Sequence, residues 1–210
     1  MLRDCPAVAE HLHNSSHQRM KMTEIYKGMV LGDGAVFELA LQGKARRYTL
    51  INIVILGIFF GLSNLYGAIQ TTPELPFSGN YIFITPLIFS AAGIVTMSGA
   101  LIACTLVYWA AARAFGGPGG LGIIADLIGL AAIPFWILAP LLNIQMRFAT
   151  AGVSRIIVFS CIAAAFFWSF RLIRQSMVTG QSISLQRATI AVAAMWIFSI
   201  SAVYVWLPQS

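Results

Sequence analysis

A chain of 210 residues that is 59% hydrophobic and only 10% charged cannot cover a water-soluble globule, whose composition carries roughly 25% charged residues. Its net charge of +6 would suit nucleic acid. The basic residues, however, cluster just outside apolar runs, and there is no aromatic-interleaved basic patch or nucleic-acid module, so that partner is excluded. The apolar residues are gathered in long runs, not spaced to bury one face, and a bilayer is the solvent that fits them.

Residues 1–21 are polar and poor in large apolar side chains, which predicts a flexible N-terminal tail. Its His11, His13 and His17 have no second ligand cluster, so no metal site is assigned to them. Met20 and Met22 leave open a shorter start. Residues 22–47 form an interfacial, amphipathic region on the cytoplasmic side, expected as one or two short helices interrupted at Gly32-Asp33-Gly34. Lys44, Arg46 and Arg47 then make a basic stop beside the membrane. The first apolar run begins only near Tyr48, so it reads as a retained anchor and not a cleaved signal.

Five transmembrane helices are predicted in a domain over 48–207, at about 48–69, 82–115, 121–144, 153–172 and 188–207. Each supplies the roughly 20 residues that an α-helix needs to cross the hydrocarbon. The second is long enough to tilt or to extend beyond the bilayer. Eleven cations fall on the side of the N-terminus, among them Arg113, Arg171, Arg174 and Arg187, against only Arg147 and Arg155 on the other. The positive-inside rule therefore places the N-terminus in the cytoplasm and the C-terminus outside. The loop 71–80 carries two prolines and reads as an irregular turn. The Gly-rich 116–122 lacks the Lys-Ser or Lys-Thr of a phosphate-binding loop, and reads as a hinge or a tight helical hairpin.

Asp126 is the only acidic residue inside a predicted span. An ionisable group in hydrocarbon is costly and should face other helices. It lies about 7–8 Å into its helix at 1.5 Å per residue, so it either sits near the headgroups beside Arg113 or caps the helix, or it handles a proton or ligand. Pro134 and Pro140 in the same span should kink it, with Asn143 and Gln145 supplying hydrogen bonds to the freed carbonyls. Small residues four apart, Gly57 with Gly61, Gly99 with Ala103, and Ala125 with Gly129, predict close helix packing within the chain, homodimer contact being the alternative. Cys104 and Cys161 lie in apolar runs as small packing residues, and with Cys5 they form no disulfide framework. No catalytic constellation is visible and no cofactor or metal is called for, which speaks against an enzyme.

The segments VFELALQG at 36–43, FGGPGGLGIIADLIGLAAIP at 115–134 and FRLIRQSMVTGQSISLQRA at 170–188 give roughly 30–207 a resemblance. With five spans and a cytoplasmic lead-in, the chain resembles the Yip (Ypt-interacting-protein) domain family, particularly its bacterial members. The resemblance implies an all-α, five-span integral membrane adaptor or scaffold in a bacterial inner membrane, bound to another membrane protein. Eukaryotic members assist vesicle traffic and contact Rab-type GTPases. Their Asp-Leu-Tyr-Gly-Pro motif is matched only in part by Asp126-Leu127-Ile128-Gly129, so no binding residue is carried over. The competing readings are a small ion- or proton-coupled permease built on Asp126 and the kinked third span, and an accessory subunit of a larger membrane complex.

Overall fold

The computed structural model describes residues 21–71, 79, 81–147 and 153–206. The tail with its cysteine and histidines, and nearly all of the loop 71–80, lie outside them. The described residues form eight helices and no strand: α1 (Met22–Leu31), α2 (Gly34–Leu41), α3 (Arg46–Thr71), α4 (Tyr81–Ala114), α5 (Leu121–Leu130), α6 (Phe135–Arg147), α7 (Val153–Gln181) and α8 (Leu185–Trp206).

The two short N-terminal helices are bounded by local chemistry. The Glu24 carboxylate accepts the Lys21 backbone N–H at 3.2 Å and closes the start of α1. Gly32 ends that helix in the left-handed region at φ 75°, and Asp33 caps α2 by accepting the Ala35 N–H at 3.1 Å. Ile25, Met29, Val36 and Phe37 are buried, packed into one core with Ile124, Leu127, Leu172 and Met177 of α5 and α7. Two side chains of α7 fasten α1 from outside: Trp168 Nε1 donates to the Val30 carbonyl at 2.9 Å, and Arg171 donates to that of Leu31 at 3.4 Å. A cation on the last carbonyls of a helix is favoured by their partial negative charge. Leu172 also lies so close to Gly32 that an added Cβ would stand 2.8 Å from it.

Among the described residues three helices are long and apolar enough to cross a bilayer, Arg46–Thr71, Tyr81–Ala114 and Ile156–Gln181. A fourth crossing is formed if α5 and α6 together make one bent span. These helices suggest a membrane protein. In α8 the apolar stretch with described side chains, Leu185–Ile197, is shorter than the roughly 20 residues a crossing takes.

The third predicted span is not one kinked helix. It breaks between Leu130 and Phe135 and turns through 75°. Pro134 cannot donate to the Leu130 carbonyl, and its ring crowds the preceding turn. The chain passes the break on short-range bonds, Ala132 N–H to Gly129 O at 3.4 Å and Phe135 N–H to Ala132 O at 2.9 Å. Pro140 lies inside α6 without breaking it.

The fourth predicted span was expected to end near Leu172 and give way to a connecting turn. Instead α7 runs unbroken to Gln181, and Ser182, at φ 50°, turns the chain into α8. Leu172, Ile173, Ser176, Met177, Gly180 and Gln181 recur at helical spacing and are all buried, so this extension is held by packing on one face. Cys104 and Cys161, read as packing residues, are exposed on the outside of the bundle.

Of the small-residue pairs, Gly57 and Gly61 do pack within the chain, against Gly93 of α4. A Cβ on Gly93 would stand 2.8 Å from the Cα of Gly61, so the two backbones touch. Gly99 faces open space and Ala103 is exposed, so this pair takes no part in packing within the chain.

Candidate functional site

The chemistry-bearing side chains gather where α3, α4 and α5 meet. Thr49 and Asn52 lie one turn apart on α3 and are both buried. The Thr49 hydroxyl donates to the Asp126 carbonyl at 3.3 Å, and Asn52 Nδ2 donates to the Gly129 carbonyl at 3.0 Å. Gly129 is within four residues of the helix break, and inside its own segment its carbonyl meets the N–H groups of Ala131 and Ala132, the latter at 3.4 Å. Asn52 adds a side-chain donor from another helix. It also approaches Met29 Sδ at 3.6 Å, which ties α1 to the same point.

That corrects the expectation for the third span. Asn143 does not serve the break: it donates to Ser63 Oγ at 2.8 Å and to Asn64 Oδ1 at 3.1 Å, near the far end of α3. Thr49 and Asn52 were not singled out by sequence reasoning. The available signal was an Asn set three residues after a Thr in an apolar run, since a buried amide in hydrocarbon needs a partner.

Asp126 is buried at 6% exposure, and its Oδ1 has no hydrogen-bond partner. The cation that acts on it electrostatically is Arg46, on α3. Arg113 is elsewhere: it is exposed and lies over the Trp109 ring, 5.8 Å from its centroid. Pro134 forms the break just beyond Asp126, and Pro140 falls a further turn and a half along in α6. The structure thus sets Thr49 and Arg46, and not Arg113, about Asp126, while Pro134 stands at the break and Pro140 within α6.

Beside Asp126 runs a cavity of about 330 Å³, walled by α3, α4 and α5. Arg46, Thr49, Thr105 and Asp126 are its polar residues, and the rest of its wall is glycine and aliphatic side chains, including Leu50, Ile102 and Leu106. Thr105 Oγ1 is engaged with the Leu101 carbonyl at 2.7 Å. Leu50, Ile102 and Leu106 are exposed, so the cavity is a groove open along the side of the bundle.

On the other side of α3, Tyr26, Tyr48 and Trp136 form an aromatic cluster about the break, with Tyr26 6.4 Å from each of the others. Tyr26 OH and Trp136 Nε1 are buried without partners. Burial raises the Tyr26 phenol above its ordinary value, and Tyr48 adds a smaller push in the same direction.

A second fastening lies at the Gly-rich turn between α4 and α5. Gln181, fully buried at the end of α7, accepts the Gly119 N–H at 2.9 Å. A side chain at Gly117 or Gly119 would run into Gln181, so the glycines let this amide enter the turn.

Compared with known proteins, the chain finds no matching family model, no similar curated protein and no similar solved structure.

Proposed function

We propose that this chain is a non-enzymatic integral membrane adaptor or scaffold of the Yip-domain type, crossing a bacterial inner membrane five times. Its N-terminus and the α1–α2 cap lie on the cytoplasmic side in this reading, and α8 makes the fifth crossing. The observation that carries it is where polar side chains of the bundle go. Asn52, Gln181, Trp168 and Arg171 bond backbone groups at helix ends, breaks and turns, and Thr49 bonds a carbonyl within α5. They fasten a rigid platform at one end of the bundle. Meanwhile only 6% of the most apolar stretch of α4 is buried within the protein, which leaves a long helix face for other helices or lipid.

The test is crosslinking of the tagged, full-length protein in its native membrane, followed by mild-detergent purification and mass spectrometry. A stoichiometric membrane-protein partner is expected, and its retention by Asp126→Asn. Recovery of the chain with lipid alone, at full occupancy, would sink the adaptor reading.

A small ion- or proton-coupled permease is the second reading. Its support is the buried carboxylate of Asp126 beside a broken helix pair, an arrangement that carriers use to bind ions. In proteoliposomes such a carrier would show flux that Asp126→Asn abolishes.

A further inference from the structure

The groove beside Asp126 combines three features that no packing role requires together. One is an apolar wall on the outside of the bundle, made by Leu50, Leu101, Ile102 and Leu106. The second is Arg46, exposed at the first residue of α3, where its guanidinium is free to meet an anion. The third is Asp126, lining the same groove but almost wholly buried, with one carboxylate oxygen unpartnered. Among the described residues no ion pair within 4.0 Å joins Asp126 to Arg46 or to any other cation. A buried carboxylate oxygen without a partner is costly, and a ligand that brought it a cation would lower that cost.

One cation and one anion, unpaired with each other along an apolar channel, complement a zwitterion with an apolar tail. A guanidinium binds a phosphodiester through paired N–H donors. A primary ammonium offers three donors, enough for a carboxylate and a neighbouring hydroxyl oxygen such as that of Thr49. An acyl chain fits the aliphatic wall. A lipid bearing phosphate but no amine would set a second negative charge near Asp126, whereas a bare cation would be repelled by Arg46.

We propose that the groove between α3, α4 and α5 binds one aminophospholipid of the phosphatidylethanolamine type, with its phosphate on Arg46, its ammonium on Asp126 and Thr49, and a chain along Leu101–Leu106. This inference requires only that the long apolar helices lie in a bilayer, and it is independent of the adaptor reading.

The experiment is native mass spectrometry of the full chain released from nanodiscs holding phosphatidylethanolamine and phosphatidylglycerol in equal amounts. One tightly held phosphatidylethanolamine is expected, preferred about tenfold, a step that corresponds to one well-made charged contact. Asp126→Asn should remove the preference, Arg46→Gln should weaken retention of both lipids alike, and Arg113→Gln should change neither. Equal retention of the two lipids by the unaltered protein, or a preference that survives Asp126→Asn, would overturn the proposal. Should Asp126→Asn not fold, Leu106→Trp fills the exposed groove without touching either charge. It must then lose the bound lipid, and its retention would overturn the proposal equally.

Discussion

Asn52 in the second turn of α3 and Gly129 near the end of α5 meet through one hydrogen bond, amide nitrogen to carbonyl at 3.0 Å, across 77 residues of sequence. Gly129 lies just before the break at which Pro134 leaves the Leu130 carbonyl without its helical donor, so the bond couples the first long helix to the segment that enters the break.

Removing it should be felt. Asn52→Ala is expected to destabilise the protein by about 1–3 kcal/mol, the usual range when a buried polar group loses its partner. Thermal unfolding in detergent, followed by circular dichroism, measures this. An unchanged midpoint would mean that the break is set by Pro134 alone.

The α3–α4 contact gives a matched pair of substitutions. Gly93→Val sets a side chain against the backbone of Gly57 and Gly61, which cannot move aside like a flexible side chain. A loss of about 1–3 kcal/mol or more is expected from such overpacking. Gly99→Val, on the same helix with nothing within 4 Å, should leave stability unchanged. The same unfolding assay compares them, and equal effects would show that α3 and α4 do not meet through these glycines.

The aromatic cluster at the break predicts a pH dependence. Burial favours the neutral Tyr26 phenol, raising its titration above the ordinary 10.0. The stabilisation tied to that proton is therefore complete below pH 10 and is lost as pH climbs through the raised value. Tyr26→Phe should reduce this alkaline loss. At neutral pH it should cost little, since the Tyr26 hydroxyl has no partner to lose. Stability curves between neutral and strongly alkaline pH decide it, and a steeper alkaline loss in the variant would contradict the assignment.

Gln181 holds the glycine turn through the Gly119 N–H. In Gln181→Ala that amide loses its acceptor, and hydrogen exchange over residues 116–120 should accelerate by roughly tenfold, equivalent to about 1.4 kcal/mol of local stability. Exchange unchanged from the parent would show that the turn is held without Gln181.

Hydropathy along the chain suggests a membrane as the solvent and locates the first two long helices, α3 and α4. Runs such as 48–69 and 82–115 are too apolar for water, and hydropathy depends on composition alone. The sequence by itself also determined the break at Gly32-Asp33-Gly34, because capping and left-handed glycine are local properties. The remaining features come from contacts between segments distant in the chain. What holds the segment that enters the Pro134 break is Asn52, far away in the chain, through its bond to the Gly129 carbonyl. Whether α7 stops at Leu172 or continues to Gln181 depends on α2 and α5 covering its amphipathic face. Whether Arg113 or Arg46 attends Asp126 depends on which helix ends the bundle brings together. Such pairings link residues 77 to 140 positions apart, and no local pattern of residues encodes them.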